Sequence, residues 1–211
     1  MVSDPHPRIF HLMLYSKPLA ALLLLSQICP VSGQSTPIHR YRFSEGSGVG
    51  VTDSVGTADG VIRGAGASWG EGELSLPGGS SASAAYVDLP NGLISGLTDM
   101  TIEMWVTNDG VGNWARIFDF GSSNFAEVPG PGGGGTGTDY FFLAASRGAN
   151  GNQQRVEIRN EDPAGGGIVT IDGNLLTNLG TEYHHVVTYD ADGAGAQAQI
   201  KYYRDGDLVA Q

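Results

Sequence analysis

The chain has 211 residues and carries 11 Lys and Arg against 22 Asp and Glu, a net charge of −11. A surface of that sign repels phosphate backbones and anionic headgroups, which excludes nucleic acid and membrane surfaces as partners. Thirty-three glycines and 10 prolines exclude an all-helical chain, because each interior Gly costs a helix about 1 kcal/mol and each Pro about 3.

The first segment reads as an address. Arg8, His11 and Lys17 precede the apolar run from Leu19 to Leu25. That run is too short for the ~20 residues of a membrane-spanning helix and matches the apolar region of a secretory leader. Val31-Ser32-Gly33 supplies small residues for cleavage after Gly33. Residues 1–33 are therefore expected to leave as a signal peptide, with 34–38 a short linker and 39–211 the exported domain, secreted or at the cell surface. Lipid attachment to Cys29 would need a small residue before it, and Ile28 stands there. Cys29 is the only cysteine, so its loss removes disulfides and thiolate metal sites together.

Beyond Gly33 the chain breaks into short apolar–polar alternations separated by Gly, Asp, Asn and Pro, the pattern of strands and turns. Strands are predicted at 39–43, 61–63, 73–76, 86–89, 100–107, 115–120, 140–145, 155–159, 168–171, 183–189 and 197–204. Ile102, Met104 and Val106 form one face of their strand, with Glu103 and Trp105 on the other. Asp205-Gly206 is a two-residue hairpin signal, since a type I′ turn needs positive φ twice. A long polar connection, Gly121 to Asp139, carries Pro129-Gly130-Pro131 and four successive glycines. The expected architecture is a two-sheet antiparallel β-sandwich.

His39-Arg-Tyr-Arg-Phe-Ser-Glu-Gly-Ser-Gly48, Asp53-Ser-Val-Gly56 and Asp59-Gly60 resemble the opening of LamG-like jelly-roll domains. Met100-Thr-Ile-Glu-Met-Trp-Val106, Asn113-Trp-Ala-Arg-Ile-Phe-Asp-Phe-Gly121, Tyr183-His-His-Val-Val-Thr-Tyr-Asp190 and Tyr202-Tyr-Arg-Asp-Gly-Asp-Leu-Val209 follow in the order of that family. The resemblance implies a concanavalin A-like jelly roll that binds glycans or extracellular proteins, with Ca²⁺ as a cofactor at the sandwich rim. It also implies closing strands beyond the last hairpin, whose absence from this sequence leaves an open edge expected to self-associate. The competing readings are a glycan-active hydrolase or lyase of the same sandwich, and a structural adhesion module.

The early rim loop makes Asp53, Asp59, the carbonyl of Gly60 and Glu45 the candidate Ca²⁺ ligands, set against their use as turn residues that bond their own backbone. Trp105, Trp114 and Glu103 are the candidate ligand-binding residues, the tryptophans offering flat apolar faces to sugar rings. Other motifs fail on context. Gly66-Ala-Ser-Trp-Gly70 matches a nucleophile elbow but no helix follows, so a small-residue turn is expected. Gly132 to Gly137 fits a dinucleotide loop and Gly134 to Phe142 one calcium nonapeptide, the first without its helix and the second without a repeat to share an ion. Asp190-Ala-Asp192-Gly193 begins like an EF-hand loop, but Lys201 stands where a bidentate Glu belongs. No E-x-D-x-E arrangement appears, and a cross-strand pair such as Glu103 with Asp119 is the remaining route to two catalytic carboxyls. A non-catalytic binding module is the expectation.

Overall fold

A computed structural model of the chain describes residues 12–15, 36–80, 83–110, 112–123, 137–148, 153–160, 167–193, 195 and 197–211. Among these residues there are fifteen strands and no helix. In chain order they are β1 (Leu12–Tyr15), β2 (His39–Tyr41), β3 (Gly50–Val51), β4 (Gly60–Arg63) and β5 (Ser68–Gly70). There follow β6 (Glu73–Ser75), β7 (Tyr86–Asp88), β8 (Asp99–Thr107), β9 (Arg116–Ser123) and β10 (Gly137–Ala144). The last five are β11 (Gln153–Arg159), β12 (Ile168–Leu176), β13 (Glu182–Asp190), β14 (Gln199–Arg204) and β15 (Asp207–Ala210).

Two antiparallel sheets make the sandwich. One has six strands in the order β15-β14-β13-β8-β1-β2, and the other four in the order β12-β11-β10-β9. Small sheets β3-β4-β7 and β5-β6 flank them. The alternation in 99–107 is realised residue by residue: Met100, Ile102, Met104 and Val106 are buried while their neighbours are half-exposed. Leu14, Tyr41, Ile102, Val187 and Tyr202 from the first sheet meet Phe118, Phe141, Leu143, Val156 and Ile171 from the second in one apolar cluster. Burial of each such side chain contributes about 1.5–3 kcal/mol.

The two adjacent histidines of β13 point to opposite faces, as strand geometry requires. His185 is 2% exposed, its Nδ1 lying 2.8 Å from the Tyr202 hydroxyl, and the two rings stack at 5.9 Å. Burial first, then the nearby Arg204 charge, pushes the imidazole down to about 3, so it is neutral in the core. Burial pushes the Tyr202 phenol up.

Three strands differ from expectation. Gly66–Gly70 was expected as a turn, yet Ser68–Gly70 is a strand paired to β6 across Glu71-Gly72, whose φ values of 51° and 84° suit a tight hairpin. The Trp69 indole N–H donates to the Gly48 carbonyl at 2.8 Å, which fixes that hairpin against the 43–50 segment. Gly50–Val51 is too short to leave a period in the sequence. The third is β1, which lies within the segment read as a leader. The Asp205-Gly206 turn has φ values of 53° and 90°, as its sequence requires. The long connection is shorter than 121–139, because β9 runs to Ser123 and β10 begins at Gly137. Its Pro and Gly tract, Cys29 and residues 132–136 of the two glycine motifs lie outside the described residues.

Candidate functional site

The early loop is organised by one carboxylate. Asp53 is 5% exposed, and its Oδ1 accepts from the backbone N–H of Arg40 at 3.0 Å, Val55 at 3.2 Å and Gly56 at 2.9 Å. Its Oδ2 accepts from Ala58 N–H at 3.1 Å and lies 2.6 Å from His39 Nδ1. Burial alone would raise this carboxyl, but the His39 contact and the backbone donors outweigh it and hold it well below the usual range. A Cβ on Gly56 would meet Asp53 Oδ2 at 2.5 Å, His39 Nδ1 at 2.8 Å and the Ile38 carbonyl at 3.0 Å, so only glycine lets the loop close.

These contacts bear on the Ca²⁺ ligands expected here. The lone pairs a cation would need on Asp53 are taken by five donors. Exposed Asp59 accepts from the Asp53 backbone N–H at 2.8 Å, and Glu45 Oε1 from Thr52 N–H at 2.8 Å. Gly60 is a buried strand residue paired with Val51. Glu45 Oε2 is buried without a hydrogen-bond partner, and the Asp53 and Asp59 carboxylates are engaged by the loop's own backbone. Among the described residues the acidic group whose oxygens do converge, within 4.8 Å of one another, is Asp99, Asp190 and Asp192. Asp190 is the register partner of Asp99 at the end of β13 and β8, and Asp99 Oδ1 also accepts from Ala191 N–H at 3.1 Å. The Asp-Ala-Asp-Gly stretch supplies two of these three carboxylates, a rim cluster rather than a helix–loop–helix site. Its hard oxygen donors suit Ca²⁺ in kind.

The three residues chosen for ligand contact do not share a surface. Glu103 and Trp105 lie on the outer face of the six-stranded sheet, opposite the core-facing Ile102 and Met104. The register partner of Trp105 across β13 is His184, which stacks on it at 4.3 Å and 17° and places Nε2 2.7 Å from Glu103 Oε1. Trp105 is therefore covered by an imidazole on one side. Asp119 lies on the other sheet, so a Glu103–Asp119 catalytic pair does not form.

Trp114 belongs to the outer face of the four-stranded sheet. In the register of that sheet Asp119, Phe142 and Glu157 form one row across β9, β10 and β11, with Arg155 and Asp172 paired in the next. Tyr140 donates its hydroxyl to Glu157 Oε1 at 2.7 Å, and Thr170 donates to Oε2 at 3.3 Å. The Arg116 guanidinium lies 3.6 Å over the Phe142 ring and bonds Asp119 Oδ2 at 3.2 Å. Arg155 grips Asp172 through Nε at 2.7 Å and Nη2 at 3.1 Å, and Arg147 reaches the same carboxylate. The Arg155 contact holds the Asp172 carboxyl below its usual value, whereas desolvation raises that of Asp119 against the pull of Arg116.

Over the end of this face Trp114 is 42% exposed and adopts φ +66°, a conformation that costs a bulky L-residue about 1–2 kcal/mol. Its backbone N–H donates to the Ser146 carbonyl at 2.6 Å, and its carbonyl accepts from Arg116 Nη1 at 2.9 Å. The Arg155 and Arg116 guanidinium carbons lie 5.4 and 5.9 Å from its ring. A Cβ on Gly148 would come within 2.6 Å of Trp114 Nε1, so a glycine leaves the space in which the indole rests. Sequence reasoning named Trp114 as a candidate and did not name the face beneath it. The signal was the alternation Arg155-x-Glu157-x-Arg159 and Tyr140-x-Phe142, which became a surface once β9, β10 and β11 were known to be neighbours.

No curated protein and no solved structure matches the chain. Residues 80–211 match the model of a laminin G-type family described as the concanavalin A-like lectin/glucanases superfamily, and this stretch holds Trp105, Trp114, the acidic trio and all of the four-stranded sheet. With the all-β, two-sheet architecture in agreement, the chain belongs to the concanavalin A-like lectin/glucanases superfamily as a LamG-like domain.

Proposed function

We propose that the chain is an exported, non-catalytic module that binds a glycan, or a glycan-bearing protein surface, on the outer face of the four-stranded sheet. The observation that carries the reading is Trp114, a large apolar ring left open to solvent and held at positive φ beside paired charges. Strain of that kind persists where the surroundings impose it, and it clusters at ligand sites. A sugar ring offers an apolar face edged by hydroxyls, which suits an indole bordered by the Arg116 and Arg155 guanidiniums. The apolar leader pattern supports export, and no helix among the described residues is long and apolar enough to cross a membrane. Calcium assistance enters this reading through Asp99, Asp190 and Asp192 and not through Asp53.

One observation favours a glycosidase instead: Asp119 and Glu157 stand two strand spacings apart, about 9.6 Å between backbones, near the separation of an inverting pair. Against it, Arg116 lies on the Phe142 ring between them and Glu157 is bound by two hydroxyls. The full chain is assayed on a polysaccharide and oligosaccharide panel for binding and for release of reducing ends. We expect binding without release, and Trp114→Ala to weaken it about tenfold while Trp105→Ala leaves it within twofold. Reducing ends lost in Glu157→Gln would establish the enzyme, and binding indifferent to Trp114→Ala would move the site elsewhere.

A further inference from the structure

The longest edge strand of the two large sheets is β12, nine residues whose outer side meets no other strand among the described residues. Edge strands are ordinarily guarded by charges, by Pro or by shortness. The edges β2 and β15 are three and four residues long, and β9 carries Arg116 and Asp119. In β12 the single charged residue is Asp172, while Ile168, Val169, Leu175 and Leu176 are 46–63% exposed. Both ends of the strand are tied down. The Gly167 carbonyl accepts from Asn160 N–H at 3.2 Å, and the Leu176 carbonyl from Arg204 Nη1 at 3.0 Å. The open edge is thus held in place before anything pairs with it.

The register with β11 arranges its side chains. Ile168, Thr170, Asp172 and Leu176 stand opposite Arg159, Glu157, Arg155 and Gln153, which makes four even steps on one face. Between Asp172 and Leu176 the strand spends four residues where β11 spends two, a bulge seated against the core. Glycine is needed there, because a Cβ on Gly173 would meet Tyr202 Cε1 at 3.2 Å and Val209 Cγ1 at 3.4 Å. Along the face the row reads apolar, polar, polar, apolar, so it complements itself run backwards.

We propose that β12 is a dimerisation edge and that its occupant is the same strand of a second copy, paired antiparallel about Ile171. Ile168 then faces the partner's Leu176 and Thr170 faces the partner's Asp172, each contact occurring twice across the two-fold axis. The two Asp172 carboxylates do not oppose each other, and each is held by its own Arg155 and Arg147. A register slipped by two residues sets Ile168 against Asp172 in one direction and Leu176 against Thr170 in the other. A slip of one sets outer side chains against inner ones. Charge points to the same occupant: copies of net charge −11 repel, yet around this edge Arg147, Arg155 and Arg159 outnumber Glu157 and Asp172, which relieves the repulsion. Pairing joins two four-stranded sheets into one of eight strands. This inference is independent of the glycan reading, because neither the edge nor its readout involves Trp114.

The test runs the full chain in sedimentation equilibrium and gel filtration over a range of concentrations. A reversible dimer is expected. Ile168→Lys should raise its Kd at least about tenfold and keep the wild-type melting temperature, because the side chain it replaces is exposed. Val49→Lys, which replaces an equally exposed apolar side chain beside β3, should leave Kd within about threefold. Register is read by oxidation in a Cys29→Ser background. Copies carrying Ile168→Cys mixed with copies carrying Leu176→Cys should form a disulfide-linked pair, and copies carrying Ile168→Cys alone should not. A chain that stays monomeric up to about 100 μM overturns the proposal. So does a dimer indifferent to Ile168→Lys, or a mixture that links no faster than the Ile168→Cys copies by themselves.

Discussion

Replacing Asp53 by Ala separates an architectural role from a metal-binding one. The side chain has no exposed surface and serves four backbone N–H groups and the His39 ring. Truncation leaves those four donors without an acceptor in a buried loop, at about 1 kcal/mol each after partial entry of water, or about 4 kcal/mol. For a chain of this size that is a fall in Tm of about 8–16 °C. Urea unfolding and thermal melts in EDTA and in millimolar Ca²⁺ provide the comparison. We expect Asp53→Ala to lose the same stability in both, and Asp192→Asn to be near neutral in EDTA while removing any rise that Ca²⁺ produces, since a ligand of the folded state stabilises by RT ln(1 + [L]/Kd). An Asp53→Ala chain as stable as wild type in EDTA but blind to Ca²⁺ would refute the reasoning and restore the early loop as the cation site.

His185 gives a pH signature of known sign. Its folded value, pushed down to about 3, lies below the ordinary 6.5, so the unfolded chain takes the proton first and stability falls with pH between those two values. The loss at pH 5 is about 2 kcal/mol relative to neutral pH, read from urea midpoints. His185→Gln, which keeps a partner for Tyr202, should lie below wild type at pH 7 and close the gap by pH 5. Gly56→Ala should destabilise the chain by about 2 kcal/mol or more, because the new methyl must displace Asp53 or His39. Gly148→Ala should disturb Trp114 fluorescence and ligand binding with a smaller change in stability, since the indole it displaces is exposed.

The long strands β8, β11 and β13 were legible because each carries a half-buried alternation long enough to show its period. Beyond Gly33, Gly50–Val51 and Ser68–Gly70 escaped because two or three residues among glycines carry no period at all. The inserted strand escaped for another reason: Leu12-Met13-Leu14-Tyr15 is apolar in a segment whose neighbours spell a leader, and nothing local says which sheet would accept it. Trp114 was visible as an aromatic at a loop entry, but its surroundings depend on the register of β9, β10 and β11, which no local pattern encodes. Asp53 was read as a candidate cation ligand, and the structure surrounds its carboxylate with five hydrogen-bond donors. Its pattern, Asp followed by small residues and Gly, is shared by loops that hold cations and loops that hold themselves, and only the count of donors around the carboxylate tells them apart.

Asp53 ties β2 to a segment more than a dozen residues away, the kind of cross-link that exported domains commonly make with a disulfide. One cysteine cannot form an intrachain bridge, so this chain can make that tie only with a carboxylate. Such a staple is indifferent to thiols and oxidants and opens when it takes up a proton. The tie is therefore blind to redox conditions and, with its carboxyl held well below the usual range by the donors around it, yields only to strong acid.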